Sequence, residues 1–210
     1  MGTPNANMGS TLSGWTDIPN NLRDLTKFSP NFLGAQYIAF GGGGCGTPTG
    51  CQWDASVIAN LQAGIVAGQI PSNYVGIGFD IEEPLNGATG LASAFSGLFA
   101  ATKAKGYLVF VTVSGNAPYG FADKCTLMNA ILSDKNVDFL VPQLYGGPCN
   151  TPNCFQPAPN ECGWTIWLST NIPIVPVVWM IESIQNGDLD SKWAQTYGLS
   201  YHGYMVFTPN

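Results

Sequence analysis

Charge is scarce in this 210-residue chain: 10% of its residues are Asp, Glu, Lys or Arg, against the usual quarter. Lys and Arg together number seven and never form a run. Phosphate backbones are gripped by clustered basic side chains, so nucleic acid is not an expected partner. Histidine occurs once, at His202, and no Cys-x-x-Cys occurs. That leaves too few ligands for a zinc site. A Ser-His-Asp triad would have to run through that single imidazole. No metal-site or cofactor-site pattern is present, so none is expected. No apolar run approaches the ~20 residues of a membrane span, and no membrane partner is expected. Met1 to Ser10 is polar and lacks the apolar stretch of a secretory leader. A secreted form of the protein would therefore have shed its targeting segment.

What the chain has instead is apolar residues (45%), 26 glycines, 15 prolines and a net charge of −6. This length and core content predict one domain over residues 1–210, with 1–17 irregular. Six cysteines, an even number in loop-like contexts, predict disulfides and an oxidising, extracellular setting. Cys45 and Cys51, with five residues between them in a turn-rich loop, are the expected local pair. Cys149, Cys154 and Cys162 share a second loop, and one of them is expected to reach Cys125. Nothing selects between a monomer and a dimer.

Hydrophobic periodicity alternates along the chain. A short helix is expected at Ile18 to Phe28, then a strand at Gln36 to Phe40 running into four glycines. Asp54 is a good N-cap for a helix through Ile65 that Gly68 closes. Helices are expected at Leu91–Lys105, Asp123–Leu132, Trp164–Ser169 and Ser191–Tyr197. Strands are expected around Asp80 and at Tyr107–Val113, Val137–Tyr145, Val175–Ile181 and Gly203–Phe207. Pro142 weighs against its strand. Strands that are nearly continuous apolar runs, alternating with helices, predict a parallel sheet covered by helices. Polar residues gather where strands end, at 41–44, 80–83, 112–116, 143–145, 182–183 and 208. That clustering points to an α/β fold of the (β/α)8 TIM type, whose active sites lie at strand C-terminal ends.

The acidic focus of the chain is Tyr74-Val75-Gly76-Ile77-Gly78-Phe79-Asp80-Ile81-Glu82-Glu83. Residues two apart on a strand share a face, so Gly78, Asp80 and Glu82 point one way and Phe79 and Ile81 the other. Two neighbouring carboxyls at a half-buried strand end repel as anions. One pKa should rise enough for that group to act as an acid near neutrality.

Gly76-Ile77-Gly78-Phe79-Asp80-Ile81-Glu82 resembles the D-G-x-D-x-D-x-E strand of glycoside hydrolase family 18, chitinase-like and nearest to the plant class III type. Three further stretches fit in the same order. Ile38-Ala39-Phe40-Gly41-Gly42 is similar to that family's S-x-G-G strand, Pro142-Gln143-Leu144-Tyr145 to its Q-x-Y strand, and Gly203-Tyr204-Met205-Val206-Phe207 to its G-x-M-x-W strand. The likeness spans roughly residues 36–207. It implies hydrolysis of β-1,4-linked N-acetylglucosamine polymers by retaining, substrate-assisted catalysis, an exception to the two-carboxylate scheme. By the same resemblance Glu82 would be the general acid/base. Asp80 would hold the substrate's acetamido N–H and Tyr145 its carbonyl, while Gln143, Phe207 and Trp179 would contact the sugar. The sequence departs from the family pattern at Val75 and Gly78, where the family has aspartates. Only 35 residues precede Gln36, room for about one strand–helix unit at roughly 30 residues each, where the family has two. The barrel would then be incomplete at its N-terminal strands, part of a longer chain, or closed by a second copy.

Two other readings compete. A two-carboxylate retaining β-glycanase would use Glu82 or Glu83 as acid and Glu182 as nucleophile. A barrel without turnover would bind chitin or another glycan, and Gly78 is the residue that speaks for it. The expected partner in every case is a polysaccharide or oligosaccharide.

Overall fold

The computed structural model describes residues 35–43, 51–70, 72, 74–145, 161–179 and 182–206, with the side chains of Gln36, Glu182 and Ser183 excepted. The expected helix at 18–28, irregular 1–17, the Cys45 end of the first disulfide, Cys149, Cys154 and Phe207 lie outside these residues.

Six parallel strands form one sheet in the order β1 to β6: Gln36–Gly42, Tyr74–Ile81, Leu108–Ser114, Phe139–Gln143, Val177–Val178 and Met205–Val206. Each strand pairs with the next one in sequence. A doubly wound sheet would reverse direction at a switch point; this one does not, and it curls as an incomplete α/β barrel does. Helices α1 (Ala55–Val66), α2 (Ala92–Ala104) and α3 (Lys124–Leu132) cover one face. Asp54 caps α1 as expected, its Oδ1 accepting from the Val57 N–H at 2.7 Å.

Strand alternation decides what lies on each face. Ile38, Phe40, Ile77, Phe79, Ile81, Val109, Val111, Val113 and Leu140 turn outward into the main core under the helices. Phe79 meets Phe99 of α2 at 5.4 Å between ring centroids, and Phe95 meets Trp53 at 5.3 Å. The opposite, concave face carries a smaller cluster of Phe110, Val141 and Val177, with Ala39, Phe139 and Tyr145 against it.

The later strands are shorter than their apolar runs predict. β5 keeps two residues, because Pro173 and Pro176 interrupt the approach to it and cannot donate to a ladder. Pro142, by contrast, sits inside β4 opposite Val113. Trp164–Ser169 is a 3-10 helix, and Leu189–Ala194 is a π-helical turn running into the short helix α5 (Gln195–Tyr197). Residues Glu182–Gln185 form a one-turn helix, α4, so Glu182 begins a helix instead of ending a strand.

Cys125 at the start of α3 is bonded to Cys162, one of the pairings expected from the loop. Cys51 is also in a disulfide. Around the first bridge, Lys124 pairs with Glu161, and the Asn116 side chain accepts the Cys162 N–H at 3.1 Å. The Trp167 indole donates to the Asn116 carbonyl at 3.0 Å. The bridge ties α3 to the segment leading into the 3-10 helix before β5, and the Asn116 hydrogen bonds tie the loop after β3 to the same segment. The bridge closes a loop of 37 residues. Replacing both cysteines by serine should lower unfolding free energy by about 2–4 kcal/mol, read as a lower urea midpoint, with a steeper slope as the freed unfolded chain exposes more surface.

Candidate active site

Three glycines bring β1 past the acidic end of β2. Gly41, at φ +102°, lies so close to β2 that a Cβ on it would stand 2.1 Å from the Asp80 carbonyl oxygen. A Cβ on Gly43 would stand 2.3 Å from Glu82 Oε2. Only glycine lets this segment run beside both acids. The Trp53 indole, packed against Gly41, donates to the Asp80 carbonyl at 2.9 Å, and the Gly120 N–H donates to the Glu82 carbonyl at 2.9 Å. The Trp53 N–H reaches the Glu83 carbonyl at 3.0 Å. The backbone of residues 80–83 is thus fixed by groups from three other segments.

Asp80 and Glu82 share the concave face, as alternation requires. Gln143, at the end of β4, spans both. Its Nε2 donates to Glu82 Oε1 at 2.9 Å and to Asp80 at 3.2 Å (Oδ1) and 3.5 Å (Oδ2). Glu82 and Gln143 are each 8% exposed. Burial pushes the Asp80 carboxyl well above the usual range, and the Glu82 charge and hydrogen bond push it further. Burial also raises Glu82; hydrogen bonds from Gln143 and Asp80 oppose this, and the charge of Glu83 adds to it. The pair therefore holds one proton at pH values where ordinary carboxyls have lost theirs.

Tyr145 follows β4 on the same face. Burial, then the charges of Asp80 and Glu82, raise its phenol pKa, so it remains a neutral donor. The Trp179 ring, after β5, stands edge-on to Tyr145 at 5.2 Å. Asp80, Glu82, Gln143, Tyr145 and Trp179 are thus gathered on the concave side of three strand ends. Glu182 contributes only its backbone to the described residues. His202 lies at the opposite end of the strands, its N–H donating to the Ile174 carbonyl at 2.8 Å. Trp53, Trp164, Trp167 and Trp193 are core residues.

Sequence reasoning missed three residues. Phe110 of β3 fills the space beside Gly78: a Cβ there would stand 2.0 Å from Phe110 Cζ. Where the family pattern has an aspartate, this protein packs an aromatic ring, which in turn meets Tyr37 at 5.7 Å. Tyr119 and Gln52 both donate to the Glu83 carboxylate, Gln52 at 3.3 Å. They lie 36 and 31 residues away from Glu83 in sequence, and no local pattern announces such contacts.

No protein-family model matches the chain, and no curated protein does. Among solved structures, a crystal structure of phosphonopyruvate hydrolase is similar over 72% of this chain and 49% of that one, at 15% identity and a TM-score of 0.40. The chain spans about half the length of that protein.

Two stability measurements check this geometry. Gly78→Ala should cost about 1–3 kcal/mol through overpacking, and the cost should shrink when Phe110 is shortened to Leu in the same chain. Asp80→Asn should stabilise the protein at pH 7. A carboxyl raised in the folded state contributes full stability below its unfolded pKa near 3.8 and loses it as pH rises through the folded value. The gain in Tm should accordingly fade as pH falls toward 4.

Proposed function

We propose that the protein is a secreted glycoside hydrolase acting on β-1,4-linked N-acetylglucosamine polymers. The observation that carries this reading is the buried Asp80–Glu82 pair spanned by Gln143, with Tyr145 beside it at the strand C-terminal ends. The strand order supports taking the sheet as six consecutive strands of a (β/α)8 barrel. The Cys125–Cys162 bridge agrees with an oxidising compartment.

In this scheme the substrate's acetamido N–H donates to Asp80, which favours its anion and leaves the shared proton on Glu82. Glu82 passes that proton to the glycosidic oxygen as the C1–O bond breaks. The acetamido carbonyl oxygen forms a new bond to C1 from the opposite face, oriented by the Tyr145 hydroxyl. Glu82, now an anion, takes a proton from the water whose oxygen attacks C1, and the C1–O bond to the acetamido oxygen breaks, restoring the acetamide and returning the proton to Glu82. Two inversions leave the configuration retained. The acid must begin protonated, so activity should fall as pH rises through the raised pKa of the pair.

The ring of Phe110 beside Gly78 favours a second reading, in which the site binds the glycan without cleaving it. No carboxylate stands there to share the Asp80 proton. Product analysis on N-acetylglucosamine oligomers separates the two. Wild type should release shorter oligomers, and Glu82→Gln should lower kcat by 10² or more with its fold intact. Full activity in Glu82→Gln would overturn the assignment. Retention on chitin with no product from wild type would establish the binding reading.

A further inference from the structure

Glu83 is the acidic residue at this strand end that the proposed chemistry leaves unused. Its carboxylate is fixed at both oxygens: the Tyr119 hydroxyl donates to Oε1, and Gln52 Nε2 donates to Oε2 at 3.3 Å. Two donors hold the carboxylate in one orientation. Its main chain is pinned as well, through the Trp53 N–H. The same Tyr119 hydroxyl also lies near the acid. A Cβ on Gly43 would be 2.9 Å from Tyr119 Oη and 2.3 Å from Glu82 Oε2, which places those two oxygens no more than about 5 Å apart. Tyr119 is exposed, whereas Glu82 is buried. The phenol therefore touches the half-buried Glu83 carboxylate and lies close to the buried acid.

We propose that Glu83, held by Tyr119 and Gln52, is a positioning residue for Glu82: a fixed negative charge that keeps the proton on the Asp80–Glu82 pair. This rests on Glu82 being the acid of the proposed reaction. The groups that face Glu82 are Asp80 from its own strand, Gln143 and Tyr145 from β4, Tyr119 from the loop after β3, and Glu83. Gln143 carries no charge and lowers the pKa of Glu82, while Glu83 raises it. Tyr145 stays neutral. Among the described residues around the pair, Glu83 is thus the one outside it that adds negative charge.

The test is a carboxyl 13C NMR titration of the full chain, with Glu82 and Asp80 assigned from Glu82→Gln and Asp80→Asn. Glu83→Gln should lower the upper titration step of the pair by on the order of half a pH unit. Glu83→Asp, which keeps the charge but draws it back, should lower it less. It also serves as the readout if Glu83→Gln does not fold. The basic limb of kcat/KM on N-acetylglucosamine oligomers should move down by the same amount, with kcat at low pH little changed. A purely structural role for Glu83 would leave both the titration and the limb in place, and that result would overturn the proposal. If the titration moves in a protein that cleaves no glycan, the coupling is upheld and the hydrolase reading fails.

Discussion

One amide holds a buried carboxyl and a half-buried one together. Gln143 donates from a single nitrogen to Asp80 on one side and Glu82 on the other, and the surroundings follow from what that arrangement costs. Two anions in a water-poor site repel and are poorly solvated. A shared proton removes one charge, and the Gln143 amide hydrogens partly solvate the other. The rest of the cost falls on the scaffold. Aromatic and aliphatic side chains of β1 to β4 and the three covering helices bury a continuous core behind the sheet. The strand end itself is pinned by Trp53 and Gly120. The acids cannot relax away from each other because their backbone is fixed at these points.

The scaffold and the site divide along the strand's twofold alternation. From Gly76 onward, odd positions of β2 (Ile77, Phe79 and Ile81) feed the outer core, and Gly78, Asp80 and the following Glu82 feed the concave face. The parallel sheet with covering helices and the gathering of Asp80, Glu82, Gln143 and Tyr145 were legible for that reason. Alternation is a local property, and parallel strands in sequential order bring equivalent ends together. Asp54 as a cap was legible on equally local grounds. Pairing length was not. Apolar runs overstate β5, because the number of ladder bonds depends on the neighbouring strand and on the prolines beside it. The π-helical turn at Leu189–Ala194 and the 3-10 helix at Trp164 have no sequence pattern that separates them from an α-helix. Glu182 reads as a strand end only if the strand runs that far, and it does not.

The parts of the site that stayed hidden are those made by contact across the sheet. Phe110 belongs to an ordinary apolar strand, and nothing in Leu108–Ser114 marks it as the neighbour of Gly78. Tyr119 follows a strand end, a region whose polar cluster could have been searched for partners of Glu83. Gln52, lying between Cys51 and Trp53, carries no signal of its own. Both partners of Glu83 come from segments more than thirty residues away.

The ring of Phe110 against Gly78 also limits how this strand can change over time. An aspartate at position 78 would meet the ring at once, and a smaller residue at position 110 would leave a hole beside a glycine. Each single step is a loss, while the double change could restore the packing. The two positions are therefore epistatic. A chain with the glycine–phenylalanine pair is separated from one with an aspartate at position 78 by a less stable intermediate, whichever position changes first.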